Sequence, residues 1–281
     1  MKGLLQRAIT ALIFVIVMLL GLYSHHYTFV ALFAIITAGC LWEFFLMVMD
    51  RESRRDLIRL FIGVAFGLTP FVLASTLQLG WVDITEEFII ASALLFFPFL
   101  FLAFIYELFS KSQRPFMNVA YIVLGMVYIG APFALLDFIA FDGDKFYADT
   151  ILGLLLLSWA NDTGAYLVGS KIGKTKLIPR ISPNKTWEGS IGGVCITFLA
   201  AWALCYLFQD DTSINWFVLG GIVSIFGSIG DLIESMLKRT SGVKDSGRLM
   251  PGHGGLLDRF DAFIFLLPFA AAYILWVRQS G

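Results

Sequence analysis

Runs of about twenty apolar residues recur along this chain with only short polar breaks between them, and that recurrence limits the fold more than any other feature. A helix rises 1.5 Å per residue, so about twenty residues cross roughly 30 Å of hydrocarbon, where each backbone N–H and C=O must be bonded within its own segment. The runs predict spans at about 8–24, 27–49, 57–79, 88–110, 116–140, 149–170, 190–208, 216–237 and 260–277. The expected fold is all-α, a polytopic helical bundle of about nine transmembrane helices. With 58% hydrophobic and only 15% charged residues, a soluble globule with one anchor, a disordered chain and a small disulfide scaffold are all excluded. Lys2 and Arg7 before the first run imitate a secretory signal. That run is long, lacks a small-x-small cleavage site and is followed by further spans, so it is expected to stay as a helix.

The charges that remain are sorted by side. Eighteen of the twenty Lys and Arg residues fall at the N-terminus, at the start of the third span (Arg59) or in loops 50–56, 111–115, 171–189 and 238–259. Lys145 and Arg278 are the other two, and the opposite loops carry Asp83, Glu86, Asp142, Asp144, Asp210 and Asp211 instead. The positive-inside rule then puts the N-terminus in the cytoplasm and, with nine spans, the C-terminus outside. A formal net charge of -1 offers no general basic excess for nucleic acid. Cys40, Cys195 and Cys205 sit singly in apolar stretches, as packing residues would.

Ionisable groups inside apolar spans are costly, so each one calls for a partner or a function. Glu43, Glu107 and Asp137 are isolated in sequence and are expected to lie near an interface or to pair with a neighbouring helix. The eighth span is different. Asp231, Glu234, Ser235 and Lys238 are spaced i, i+3, i+4, i+7 and form one polar stripe on an otherwise apolar helix. Such a stripe either lines something wet or neutralises itself through a Glu234–Lys238 pair. Downstream, Lys244-Asp245-Ser246-Gly247-Arg248 and Pro251-Gly252-His253-Gly254-Gly255 lead into Asp258-Arg259-Phe260-Asp261 at the start of the ninth span. The glycines permit close backbone approach to an anion. Asp258 and Asp261, one helical turn apart, can face one point; with Asp231 they make an all-oxygen set suited to magnesium. Acids also favour a helix N-terminus for its dipole alone, which is the simpler account of the pair.

A third cluster is the basic loop Lys171 to Arg180 followed by Ser182-Pro183-Asn184-Lys185-Thr186-Trp187-Glu188-Gly189. Ser182 as N-cap with Pro183 at the first helical position predicts a helix start there, with its N–H groups, Lys185 and Thr186 open to a phosphate. Juxtamembrane basic residues also serve topology and anionic lipid alone. Asn161-Asp162-Thr163-Gly164 in the sixth span reads as a site wall. Carboxylates, lysines and glycine loops on one cytoplasmic edge describe a phosphate-handling site, and the missing Walker A pattern excludes a P-loop ATPase.

From Ser235 to Asp261 the sequence resembles the bacterial-type CDP-diacylglycerol synthases, or phosphatidate cytidylyltransferases. Their pattern of a serine ahead of Lys-Arg, then Lys-Asp, Pro-x-His-Gly-Gly and Asp-Arg-x-Asp is met by Ser235, Lys238, Arg239, Lys244, Asp245, Pro251, His253, Gly254, Gly255, Asp258, Arg259 and Asp261. Met250 stands where a Leu, Ile or Phe is expected. Asn161 to Tyr166 and Ser182 to Gly189 also look like segments of that family, so the resemblance covers about residues 158–261. It implies transfer of CMP from CTP to phosphatidate, giving CDP-diacylglycerol and pyrophosphate, in a homodimeric multi-pass protein of the cell (inner) membrane with its active site on the cytoplasmic side. It also implies magnesium, alone or with a second cation. Asp231, Asp258 and Asp261 are then the metal ligands and, with Lys244, the catalytic set. Asp162, Ser182, Lys185, Thr186, Ser235, Lys238, Arg239, Asp245, His253, Gly254, Gly255 and Arg259 are the substrate-binding candidates. His253 either donates to a phosphate or packs among the glycines.

Residues 1–150 are expected to form an N-terminal set of helices for scaffold, lipid access and dimer contacts, and residues 151–281 a catalytic region with cytoplasmic loops 171–189 and 238–259. A secondary transporter would also use intramembrane acids but leaves the one-sided basic loops unexplained. A CTP-dependent polyprenol or phytol kinase would share the chemistry but release CDP. A structural scaffold has no need of Asp258 and Asp261 beside His-Gly-Gly.

Overall fold

The computed structural model describes residues 2–49, 56–209, 214–247, 249–250 and 254–280. Its helices are α1 (Lys2–Tyr23), α2 (His26–Val48), α3 (Leu57–Gln78), α4 (Glu86–Phe109), α5 (Pro115–Ala140), α6 (Ala148–Ile172), α7 (Trp187–Leu207), α8 (Trp216–Thr240) and α9 (Leu257–Ser280). Two short hairpins complete the elements, β1 (Phe141–Asp142) with β2 (Lys145–Phe146) and β3 (Lys176–Ile178) with β4 (Ser182–Thr186). Among the described residues eight helices, α2 to α9, are long and apolar enough to cross a membrane, and Ala8–Tyr23 within α1 is a shorter apolar helix. The protein is thus polytopic and helical, as the runs of the sequence require. Pro70, Pro98 and Pro268 lie inside α3, α4 and α9. Both α5 and α8 contain one π-helical turn, Met126–Gly130 and Val223–Gly227.

The chain forms two compact units that do not follow its order. One comprises Met1–Gly21, Tyr27–Asp137 and Ser246–Leu257; the other comprises Leu22–His26, Phe138–Asp245 and Asp258–Gly281.

In the first unit α2 supplies the aromatic core, with Phe29, Phe33, Phe44 and Phe45 fully buried. Glycines admit these rings: a Cβ at Gly63 of α3 would lie 2.9 Å from the Phe45 ring, and one at Gly125 of α5 would lie 2.8 Å from it. Close approach through small residues is how helices bind one another where lipid removes the hydrophobic drive. Each isolated acid finds a partner here. Glu107 of α4 is ion-paired with Arg59 of α3 and accepts from Asn118 of α5 at 3.2 Å. Asp137 accepts from the Ser75 hydroxyl at 2.7 Å. Asp56 caps α3 by accepting from the Ile58 and Arg59 amides. Burial works against its charge, but the Tyr106 hydroxyl, those two amides and the Arg59 guanidinium outweigh it, holding the carboxyl below its usual range.

In the second unit α6 and α7 pack backbone to backbone. A Cβ on Gly189 of α7 would meet the Ala165 carbonyl at 2.9 Å and the Gly169 Cα at 3.1 Å. Residues 182–186 depart from expectation, because they form strand β4 rather than the start of a helix. The N-cap of α7 is Thr186, whose hydroxyl accepts from the Gly189 N–H at 3.1 Å. Register explains the shift: Lys176 pairs with Thr186 and Ile178 with Ser182, so the strand runs on through Pro183, which is tolerable in a ribbon made only of edges. In the same unit the Arg278 guanidinium lies over the Tyr147 ring, 4.1 Å from its centroid, and donates to the Ile139 carbonyl at 2.9 Å.

Candidate functional site

The polar stripe of α8 starts where its π turn ends. That turn, Val223–Gly227, is followed by Ser228, Asp231, Glu234, Ser235 and Lys238, and π turns inside α-helices are frequent at functional sites. Upstream of Glu234 the stripe faces a cavity of about 500 Å³, a size ordinary for a small-molecule site. From α6 come Asn161, Asp162, Ala165, Tyr166, Gly169 and Ser170; from the β3–β4 segment and α7, Leu177, Asn184, Lys185, Thr186, Gly189 and Ser190; from α8, Ser228 and Asp231.

Three charges meet in this cavity. The Lys185 ammonium is ion-paired with the Asp231 carboxylate, each side chain about three-tenths exposed. Asp162 lies close enough to Asp231 and Lys185 to feel both charges. Asp261, 9% exposed and outside the cavity lining, feels Asp231, Glu234 and Asp162 and accepts from the Ala262 N–H at 2.7 Å. Asn161 Oδ1 is buried with no hydrogen-bond partner among the described residues, while its amide donates to Ser228 Oγ at 3.2 Å.

The lower half of the stripe is occupied by its own charges. Lys238 is ion-paired with Glu234 and lies 2.8 Å from Asp258. Glu234 is fully buried, and among the described residues its oxygens have no hydrogen-bond partner, so the Lys238 ion pair is what balances its charge there. The stripe therefore lines a cavity through Ser228 and Asp231 and neutralises itself through the Glu234–Lys238 pair on the following turns. Ser235 donates to Asp231 Oδ1 at 3.3 Å. Arg239 donates to the Ile181 and Val243 carbonyls at 3.4 Å. Lys244, Asp245 and Arg259 are exposed, and Ser182 is half-buried in β4 outside the cavity lining. Gly254 has φ +87°, a left-handed conformation that favours glycine, and Gly255 is buried. Arg248, Pro251 and His253 lie outside the described residues.

The groups expected to receive a phosphate at the start of α7 are partly engaged within the chain. Thr186 caps the helix, and the Glu188 carboxylate accepts from the Lys174 and Thr175 amides at 3.0 and 3.1 Å. Lys185 remains the cation of this segment that reaches the cavity. Ser228 was not foreseen. It lies one turn before Asp231 and extends the i, i+3 stripe, a signal visible in the sequence.

The fit of a divalent cation depends on the donor set. Asp162 and Asp231 line the cavity and Asp261 is near enough to feel both charges; all three are hard oxygen donors, the type magnesium prefers. Asp258 is instead held by Lys238. Among the described residues no group of three or more Asp, Glu, His or Cys side chains is placed to hold a metal ion by itself. Magnesium commonly binds through one or two carboxylates with water and substrate phosphates in the remaining positions, so this donor chemistry fits it.

Fold and site together define a class: an integral membrane protein of helices whose polar cavity joins carboxylates to lysine, amide and hydroxyl groups. Residues 5–277 match the Cytidylyltransferase family, and the chain belongs to that family. Proteins named phosphatidate cytidylyltransferase from Staphylococcus aureus strain COL and Staphylococcus haemolyticus strain JCSC1435 are each 45% identical to it, over 170 and 171 residues. The counterpart from Staphylococcus epidermidis strain ATCC 35984 is 42% identical over 170 residues. These alignments span 60% of this chain and 64% of each relative.

Proposed function

We propose that this protein is a magnesium-dependent phosphatidate cytidylyltransferase, working as a homodimer at the cytoplasmic face of the cell membrane with its N-terminus in the cytoplasm. Its substrates are CTP and phosphatidate, and its products CDP-diacylglycerol and pyrophosphate. The observation that carries this reading is the meeting of Asp162, Asp231 and Lys185 in one polar cavity of a cytidylyltransferase-family protein. The names of the staphylococcal relatives support the choice of lipid.

In this reaction a phosphatidate oxygen forms a bond to the α-phosphorus of CTP while the bond to the bridging oxygen breaks and pyrophosphate leaves. The second pKa of a phosphate monoester is about 6, so the nucleophile is largely ionised near neutral pH and needs no dedicated base. Catalysis is then positioning and charge neutralisation. Lys185 binds a phosphate once Asp231 is otherwise engaged, and Ser228, Asn161 and Ser190 supply neutral donors along the wall. Asp231, Asp162 and Asp261 would hold magnesium, with Asp258 fixing the turn that carries Asp261 through its bond to Lys238. When bound, the ion lowers the cost of bringing two anions together. Lys244, Arg239 and Arg259 draw the headgroup and pyrophosphate from the cytoplasmic side. Ala165, Tyr166 and Leu177 give the cavity an apolar wall suited to the glycerol backbone.

Purified protein given labelled CTP, phosphatidate and magnesium should yield a lipid-soluble cytidine product and pyrophosphate that depends on both substrates. A phosphorylated alcohol with CDP would identify a lipid kinase instead, and uptake into vesicles without CTP consumption a transporter.

A further inference from the structure

Glu43 is the least expected acid of the chain. It lies within the last two turns of α2's apolar sequence, is 1% exposed, and meets residues more than two hundred positions away. Its Oε2 accepts from the Ser246 hydroxyl at 3.0 Å and from the Leu257 N–H at 2.9 Å. Its Oε1 accepts from the Leu249 N–H at 3.4 Å. One carboxylate thus holds both ends of the segment Ser246–Leu257, the part of the α8–α9 connection that belongs with the first unit. The backbone is shaped to admit it. A Cβ on Gly247 would run first into Oε1, Cδ and Cγ of Glu43, and one on Gly255 would meet Ser246 Oγ and Glu43 Oε2. On the same side of the segment Leu256 fills the space over Gly39 of α2, where a Cβ would lie 2.7 Å from it.

We propose that Glu43 is a positioning residue for the α8–α9 connection. By bonding Ser246 and Leu257 to one oxygen it pins the two ends of the segment together. Lys244 and Asp245 precede the first pinned residue, and Asp258 follows the second directly, so covalent geometry passes the constraint to residues on both sides. The inference rests on the proposed cytidylyl transfer for its effect on turnover, whereas the clamp itself is independent of it.

Three donors on two oxygens make the carboxylate hard to replace. Glu43→Gln keeps the shape but turns an NH2 group toward a donor, and Glu43→Asp withdraws the oxygens by one methylene. In full-length protein purified in detergent or nanodiscs, both variants are expected to lower kcat per folded molecule by about 10²-fold, as a displacement of about 1 Å does, while the KM for CTP changes less. Hydrogen exchange at the Leu249 and Leu257 amides should quicken in both. Gly247→Ala should be harmful alone, yet add little to Glu43→Ala, because the side chain it strikes is gone. Wild-type turnover in the Glu43 variants, or quickened exchange with kcat intact, overturns the positioning role, and unchanged exchange overturns the clamp. Equal proportional losses of kcat and folded protein also overturn it, leaving Glu43 a purely structural residue. Wild-type protein inert toward CTP and phosphatidate would refute the cytidylyltransferase reading instead, and exchange would still decide the clamp.

Discussion

Lys238 of α8 and Asp258 of α9 lie 2.8 Å apart, and the same ammonium is ion-paired with Glu234 one turn back along its own helix. One cation thus balances two carboxylates, and neither Lys238 nor Glu234 has much access to water, at 11% and 0% exposure of their side chains. The stability of this corner depends on keeping the three together.

Removing the ammonium alone should therefore be costly. Lys238→Met leaves Glu234 buried without compensation, and breaking such a pair costs about 3–5 kcal/mol. Its melting temperature in detergent is expected to fall well below wild type, with part of the loss restored in Lys238→Met/Glu234→Gln. If single and double variants melted together, the coupling would be absent.

Asp231 is the carboxylate common to the stripe, the Lys185 pair and the cavity. Asp231→Asn keeps the shape but removes the charge, so turnover is expected to drop at least about 10²-fold while insertion and melting stay near wild type. Lys185→Gln should act in the same direction with a raised KM for CTP. Near-normal turnover in Asp231→Asn would remove that residue from the reaction.

Arg59 tests the first unit independently of chemistry. It is 3% exposed and ion-paired with Glu107, which is also bonded by Asn118 and Ser110. Arg59→Met should destabilise by about 3–5 kcal/mol for the uncompensated glutamate, and Glu107→Gln in that background should recover part of it. Thermal unfolding of the two proteins measures the difference.

Gly189→Val tests the α6–α7 contact, where a Cβ alone would already press on the Ala165 carbonyl and the Gly169 Cα. Overpacking of this kind costs about 1–3 kcal/mol, and here it also narrows the cavity that Gly169 and Gly189 line. Lower melting temperature together with lower turnover is the expected result, and a silent substitution would mean that the helices part easily.

Sidedness is checked by labelling. Lys174→Cys and Lys145→Cys place thiols in loops expected on opposite faces. An impermeant maleimide applied to intact cells should reach residue 145 but not 174, and the reverse pattern would invert the topology.

Hydropathy made the spans legible because a bilayer imposes length and apolarity on each helix separately, without reference to its neighbours. The stripe on α8 was legible for a similar local reason, since i, i+3, i+4, i+7 spacing is a property of one helix. Residues 182–186 were misjudged because Ser-Pro is a good helix start by local chemistry, whereas ladder pairing of Lys176 with Thr186 and Ile178 with Ser182 drew them into a strand. Asp258 looked equivalent to Asp261 one turn on. Their different surroundings, an ammonium for one and the Ala262 amide with neighbouring carboxylates for the other, come from residues that spacing does not name.

From its sequence alone this chain had to be a membrane-crossing bundle with its polar clusters gathered in its second half, because transfer of each helix into lipid and the spacing of polar residues along it are local properties. Only the tertiary structure decided which acid answers which base: that Glu107 serves Arg59, that Lys185 meets Asp231, and that Glu43 holds a loop two hundred residues away. Those choices are made by packing between segments distant in the chain, and the cost of burying a charge does not say which partner will compensate it.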